Sequence, residues 1–233
     1  MRIDIISAVP QVLTGPLEHS IVGRAREKGL VEIHVHDLHD FSENKHRKVD
    51  DYSYGGGAGM VLSAQPIFSC IETLQSERDY DDVFFTAPDG EQLNQDMANA
   101  FSLKENIIIL CGHYKGVDQR VRDELITREV SVGDYVLSGG ELPAMTIVDA
   151  LVRLIPGAIG DAESALNDSF QDGLLDTPVY TRPSTFKGLK VPNVLLSGDQ
   201  KKIEEWRNEQ AIIKTKERRK DLFEQFNKET EQE

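Results

Sequence analysis

The run Ile107-Ile108-Ile109-Leu110-Cys111 contains no polar residue, and it limits the possible folds more than any other feature of the 233-residue chain. A strand with one wet face alternates apolar and polar side chains, whereas a strand covered on both faces reads as a continuous apolar run. Val83-Phe84-Phe85-Thr86 and Ile3-Asp4-Ile5-Ile6 are of the covered kind, and Glu129 to Val132 reads as the end of another strand. Val31-Glu32-Ile33-His34-Val35-His36 alternates. Helical spacing separates these strands: Val12, Leu13, Leu17, Ile21, Val22 and Ala25 within 11–28, then helices over 64–74 and 92–101. A further helix over 141–155 carries Leu142, Met145, Val148, Leu151, Val152 and Ile155 and is stopped by Pro156-Gly157. Strands alternating with helices predict an α/β fold, a parallel sheet with helices on both faces.

In such sheets ligands bind beyond the carboxyl ends of the strands. Ala87-Pro88-Asp89-Gly90, Gly112-His113-Tyr114-Lys115-Gly116 and the loop after Val132 are therefore expected to converge on one pocket. The last of these, within Ser131-Val132-Gly133-Asp134-Tyr135-Val136-Leu137-Ser138-Gly139-Gly140-Glu141-Leu142-Pro143-Ala144-Met145, passes from strand through a glycine-bearing loop into a helix. A loop of this kind offers mostly backbone N–H and C=O groups, which suit an adenine edge or a ribose better than a phosphate chain. Neither phosphate-loop pattern occurs. A second glycine loop, Gly55-Gly56-Gly57-Ala58-Gly59, follows Tyr52 and Tyr54 and the basic run Lys45-His46-Arg47-Lys48. Tyrosines beside basic residues can stack on bases while the cations meet phosphates.

Beyond residue 160 the pattern changes. Gly160 to Asn167 is small, polar and acidic and reads as a linker. The stretch 174–196 carries Pro178, Pro183 and Pro192 and is expected to be irregular; 199–227 has helical patterning, and 228–233 reads as a frayed tail. The net charge of −14 argues against a general affinity for nucleic acid. Local cations remain, notably Lys214, Lys216, Arg218, Arg219 and Lys220. No apolar run approaches the roughly 20 residues that span a bilayer, the N-terminus lacks a signal-peptide layout, and two cysteines form no disulfide or metal spacing. These features point to a cytoplasmic protein that does not enter membranes. His34, His36 and His39 invite a metal reading, but no cysteine or carboxylate completes a ligand spacing there.

Four separated motifs carry a resemblance: Gly55 to Met60, Cys111-Gly112-His113-Tyr114, Ser131 to Met145, and Asp168-Ser169-Phe170-Gln171-Asp172-Gly173-Leu174-Leu175. Together, in this order over nearly the whole chain, they resemble the bacterial tRNA (guanine-N1-)-methyltransferase (TrmD) family of SPOUT methyltransferases. The resemblance implies a deep trefoil knot in the sheet domain, here 1–159, a flexible linker over 160–172, and a small, mostly helical tRNA-binding domain over 173–233. It implies S-adenosyl-L-methionine held by Pro88, Gly112, Val132, Gly133, Asp134, Tyr135, Val136, Leu137, Gly139, Gly140 and Pro143. By the same resemblance Asp168 is the base that takes the guanine N1 proton, and Arg153 steadies charge on O6. With tRNA as the partner, the candidate contacts are Tyr54, Gly57, Lys115, Arg182, Lys187, Lys214, Arg218 and Arg219. The family works as a homodimer with active sites at the subunit interface, and magnesium is associated with its reaction, although no metal motif is present in the sequence. The family commonly has glutamate where this chain has Lys115. The activity implied is methyl transfer to N1 of the guanosine immediately 3′ of the anticodon, position 37; the alternatives are a knotted ribose 2′-O-methyltransferase and a non-catalytic RNA-binding module.

Overall fold

The computed structural model describes residues 1–160 and 168–230; residues 161–167 of the expected linker and 231–233 of the expected frayed tail lie outside them. The strands of the first part are β1 (Arg2–Ser7), β2 (Glu32–Asp37), the small hairpin β3 (Asp50–Tyr52) and β4 (Met60–Leu62), β5 (Asp82–Gln92), β6 (Asn106–Cys111) and β7 (Arg128–Ser131). Five of them form an all-parallel sheet in the order β2-β1-β6-β5-β7. Ile3 pairs with Ile107 and Ile5 with Ile109, and Phe84 lies opposite Ile109 on the other side of β6. This register places Ile3, Ile5, Phe84, Ile107 and Ile109 in one core and Ile6, Val83, Phe85, Ile108 and Leu110 in a second core on the opposite face. The unbroken apolar runs are thus each divided between two cores.

The helices are α1 (Thr14–Glu18), α2 (Ser20–Glu27), α3 (Ala64–Glu77), α4 (Gln95–Ser102), α5 (Gln119–Glu124) and α6 (Glu141–Val152). α2, α4 and α6 cover the first face with Val22, Ala25, Ala98, Phe101, Ile147, Val148 and Leu151. α3 and α5 cover the second with Ile67, Cys70, Ile71, Leu74 and Val121. Asp4, the polar residue inside the β1 run, has no exposed surface and accepts from Arg2 (2.7 and 3.0 Å), from Tyr80 Oη (2.8 Å) and shares a 2.7 Å hydrogen bond with His36 Nε2. Burial alone would push its carboxyl up, but the bonds from His36, Arg2 and Tyr80 win and hold it well below the usual range. The three histidines of the metal reading have separate partners. His36 is taken by Asp4, His39 Nδ1 meets Asp37 at 2.7 Å, and His34 lies 3.7 Å from Glu32.

Several elements differ from the sequence expectation. The single helix over 11–28 is a 3-10 turn (Pro10–Val12) followed by α1 and α2, broken at His19, whose backbone is extended. At Gly23 a Cβ would fall 2.4 Å from the Glu18 carbonyl oxygen, so this glycine lets the two halves meet closely. The strand at 83–86 does not end at Pro88. It leaves the sheet over 87–90 and returns, so that both Thr86 and Glu91 pair with Val130. β3 and α5 were too short and too polar to register in the pattern, and β4, though apolar, too short.

By contact density the chain divides into Met1–Ala162 and Glu163–Glu233. In the second unit a two-residue pair, β8 (Thr185–Phe186) with β9 (Leu189–Lys190), and a 3-10 turn at Asn193–Leu196 interrupt an otherwise irregular 174–196. Two helices, α7 (Gln200–Arg218) and α8 (Lys220–Thr230), account for the helical patterning over 199–227. The break is at Arg219, where the backbone turns to φ −138°, ψ 74°. The buried Thr215 holds the preceding segment by accepting from Leu175 N at 2.8 Å. Among the described residues no helix is long and apolar enough to cross a membrane.

Candidate functional site

The loops that follow β6 and β7, with the excursion of β5, enclose a cavity of about 260 Å³ at the carboxyl ends of the strands. Pro88, Gly112, Lys115, Val132, Gly133, Tyr135, Val136, Leu137, Gly139, Gly140 and Pro143 line it; Asp134 does not. Three loops are stitched together at its floor. Gly140 N donates to Gly112 O at 2.6 Å, Gly112 N donates to Thr86 Oγ1 at 3.2 Å, and Thr86 Oγ1 donates to Leu110 O at 3.3 Å. The approach is so close that a Cβ on Gly140 would lie 2.0 Å from Thr86 Oγ1 and 2.5 Å from Gly112 N. Here glycine is required by lack of space, not by backbone angle, since φ is −83°.

Gly133 does need its freedom: its φ is +147°, and the Tyr135 ring folds over the place its Cβ would take, with Tyr135 Oη donating to Val132 O at 3.2 Å. Val136 is 90% exposed although apolar, an arrangement suited to covering a ligand. Among the described residues Lys115 is the only Lys, Arg, Asp or Glu on the wall. Its stem lies over Gly59, within 3.0–3.2 Å of where a Cβ would be, and its Nζ lies near Gly57. The β3–β4 hairpin is therefore held at the cavity mouth, and Leu62 N donating to Gly116 O (3.0 Å) fixes it there. At the hairpin tip Tyr54 is fully exposed. The two cysteines have no role as nucleophiles: burial pushes the Cys70 thiol up to about 12 and Cys111 far above its ordinary value, the Glu141 carboxyl adding to the latter.

Of the two residues expected to do the chemistry, neither lies on the cavity wall. Arg153 caps the carboxyl end of α6. Twelve residues of helix at about 1.5 Å each put it roughly 18 Å along the axis from Glu141 at the cavity end. Asp168 belongs to the second unit, in a turn where its carbonyl accepts from Gln171 N at 3.4 Å and Asp176 N donates to Ser169 Oγ at 2.9 Å. Among the basic residues of that unit, Lys214 Nζ donates to Asp176 O (2.5 Å) and Arg219 pairs with Asp221 (2.6 Å). Lys187 lies over the Phe186 ring at 5.5 Å. Arg182 and Arg218 make no side-chain hydrogen bond or ion pair among the described residues.

Known proteins resemble this chain over nearly its whole length. The family described as tRNA (Guanine-1)-methyltransferase TrmD matches residues 1–225. The chain belongs to this family. A Flavobacterium johnsoniae protein named tRNA (guanine-N(1)-)-methyltransferase is 61% identical over 225 residues, 97% of this chain and 100% of its own length. Relatives of the same name from Bacteroides thetaiotaomicron and Christiangramia forsetii are 58% identical over 224 residues and 60% over 223 residues, each covering 96% of this chain and 100% and 99% of their own. Around the cavity the fold places buried polar side chains that drew no role from the sequence: Thr86 and Ser131 on its wall, and Ser7 and Glu141, which do not line it. Thr86 stands where β5 leaves the sheet and Ser131 ends β7, places where a hydroxyl can tie a loop. Glu141, first in its helix, reads from sequence as an exposed charge favoured by the helix dipole, yet it is 4% exposed.

Proposed function

We propose that this chain transfers a methyl group from S-adenosylmethionine to N1 of a guanosine in tRNA, the one immediately 3′ of the anticodon. The observation that carries the proposal is the cavity at the ends of β5, β6 and β7 in a TrmD-family chain, lined largely by loop backbone and, among the described residues, by no carboxylate. Its chemistry suits the donor: apolar walls for an adenine, loop N–H and C=O groups for its edge, and no acid to trap the sulfonium. Val132, Gly133, Tyr135, Val136, Leu137, Gly139, Gly140 and Pro143, with Pro88 and Gly112, would hold it, and Asp134 serves only as their neighbour. When bound, S-adenosylmethionine supplies an electrophilic methyl group on sulfur. The chain's own residues must do the rest.

Guanine N1 carries a proton and has no free lone pair, so a base has to take that proton while a cation steadies charge on O6. We assign the first task to the Asp168 carboxyl and the second to the Arg153 guanidinium. The length of α6 keeps Arg153 beyond side-chain reach of its own cavity mouth, which supports a homodimer in which Arg153 and Asp168 serve the partner's cavity. Tyr54, Gly57 and Lys115 at the mouth, and Arg182, Lys187, Lys214, Arg218 and Arg219 in the second unit, are the proposed tRNA contacts. The trefoil knot belongs to this reading too, with 131–140 passed against 112–116, as the paired His113 and Gly139 backbones suggest. Among the described residues no three His, Cys, Asp or Glu side chains gather as metal ligands, and no carboxylate lines the cavity, so no step is assigned to magnesium. Calorimetry with S-adenosylhomocysteine tests the reading: micromolar binding is expected, and a chain that binds none is the silent RNA-binding module instead. Digestion of methylated tRNA to nucleosides separates 1-methylguanosine from the 2′-O-methyl product of a ribose enzyme.

A further inference from the structure

Behind the cavity wall lies a polar relay that the proposed methyl transfer does not use. Glu141, in the first turn of α6, is buried, and its Oε1 accepts from Ser7 Oγ at 2.6 Å across the end of β1. Its Oε2 faces Nδ1 of His113 at 4.0 Å. That nitrogen is itself buried and has no hydrogen-bond partner among the described residues. An unmet buried polar atom costs about 1–3 kcal/mol, and here an acceptor stands only about 1 Å beyond bonding distance.

The line between the two groups is kept open by one missing side chain. A Cβ at Gly139 would sit 2.3 Å from Glu141 Oε2 and 2.7 Å from His113 Nδ1. The imidazole plane is set from the side by Tyr114, whose ring stands edge-on at 4.6 Å and 85°. The backbones of His113 and Gly139 are bridged, so a small movement of the 137–140 loop closes the pair. His113 lines the cavity, and its Nε2 is not among the buried, unpartnered atoms as Nδ1 is. An acceptor beside one imidazole nitrogen holds the proton there and leaves the other nitrogen as an acceptor.

We propose that His113 binds ligand in the cavity: Glu141 keeps the proton on Nδ1, and Nε2 accepts a hydrogen bond from an N–H or O–H of a bound nucleoside. Glu141 is then a positioning residue that acts through His113, and Ser7 steadies Glu141. The proposal rests on the methyltransferase reading for its ligand, which is the donor's nucleoside or the target guanosine.

The test uses the full chain with ¹⁵N-labelled histidine. Long-range ¹H–¹⁵N spectra should show His113 protonated at Nδ1 and bare at Nε2, and Glu141→Gln, whose amide can donate to Nδ1, should shift the proton to Nε2. A merely structural glutamate would not move that signature. Calorimetry of His113→Phe with S-adenosylhomocysteine, and separately with tRNA bearing guanosine after the anticodon, should show about tenfold weaker binding of one of them, the loss of roughly one hydrogen bond. The arm that weakens identifies the ligand. His113→Gln, which returns an acceptor near the Nε2 position, should recover part of it. A wild-type His113 protonated at Nε2, or a folded His113→Phe that binds both ligands normally, overturns the proposal. If the wild type binds neither ligand the methyltransferase reading fails by itself, and the tautomer spectrum still decides whether Glu141 orients His113.

Discussion

Replacing Gly140 by alanine tests the close stitching of the cavity floor. The backbone angle there is ordinary, so the added methyl acts only by collision, at 2.0 Å from Thr86 Oγ1, 2.5 Å from Gly112 N and 2.9 Å from Cys111 Cα. The first of these can rotate away, but the other two are backbone atoms of the neighbouring strand end. Overpacking of this kind costs about 1–3 kcal/mol. Pushing the loops apart also weakens the Gly140–Gly112 and Gly112–Thr86 hydrogen bonds, each worth about 1 kcal/mol. The expected loss is about 2–4 kcal/mol, read from urea unfolding with an unchanged slope, with weaker S-adenosylhomocysteine binding in calorimetry. Thr86→Ala in the Gly140→Ala background removes only the nearest collision, so the pair should be less damaging than the sum of the singles by about 1 kcal/mol. Gly15→Ala, in α1 with nothing within 4 Å of the new methyl, is the control and should stay within about 0.5 kcal/mol. A Gly140→Ala protein as stable as wild type, with unchanged ligand affinity, would refute the reasoning.

Asp168→Ala should nearly abolish methyl transfer while leaving S-adenosylhomocysteine affinity intact, whereas Lys115→Ala should cause a modest loss; single-turnover rates decide between these and the reverse order. Mixing Asp168→Ala subunits with Gly140→Ala subunits should restore activity through mixed dimers, because each supplies what the other lacks; no recovery after verified exchange contradicts a shared site. Asp4→Asn should cost about 3–5 kcal/mol by leaving Arg2 and His36 without their buried partner. Because folding holds the Asp4 carboxyl below its unfolded value, its contribution is complete above about pH 4 and is lost as pH falls further, so unfolding curves of the variant should be flatter over that acid range than those of wild type. Neither cysteine should react with a thiol reagent at pH 8 in the folded chain, since both are buried and their thiols are pushed up; rapid labelling of Cys70 would show that its core opens.

The sheet was readable because β1, β5 and β6 are buried on both faces, a condition that leaves an unbroken apolar run. Their order was not, since each strand carries the same pattern and nothing local says which neighbours which. Pro88-Asp89-Gly90 reads locally as a strand end, yet the pairing of Glu91 and Gln92 with β7 resumes beyond it, a long-range choice made by the partner strand. α1 and α2 look like one helix because both halves bury the same face. The cavity loops were legible from turn residues at three strand ends. Arg153 is the opposite case: closeness in sequence to the ligand loop says nothing about which end of α6 it occupies. Glu141 and His113 drew no role from the sequence because a charged first-turn residue and a lone histidine are ordinary, and only the fold brings Ser7, 134 residues away, to meet Glu141.

The most direct test of the central claim is transfer of a labelled methyl group from S-adenosylmethionine to an unmodified tRNA with guanosine immediately 3′ of the anticodon, beside the same tRNA with adenosine there. The account predicts label in the first alone, recovered as 1-methylguanosine. Equal labelling of both, or label on a ribose, would contradict it.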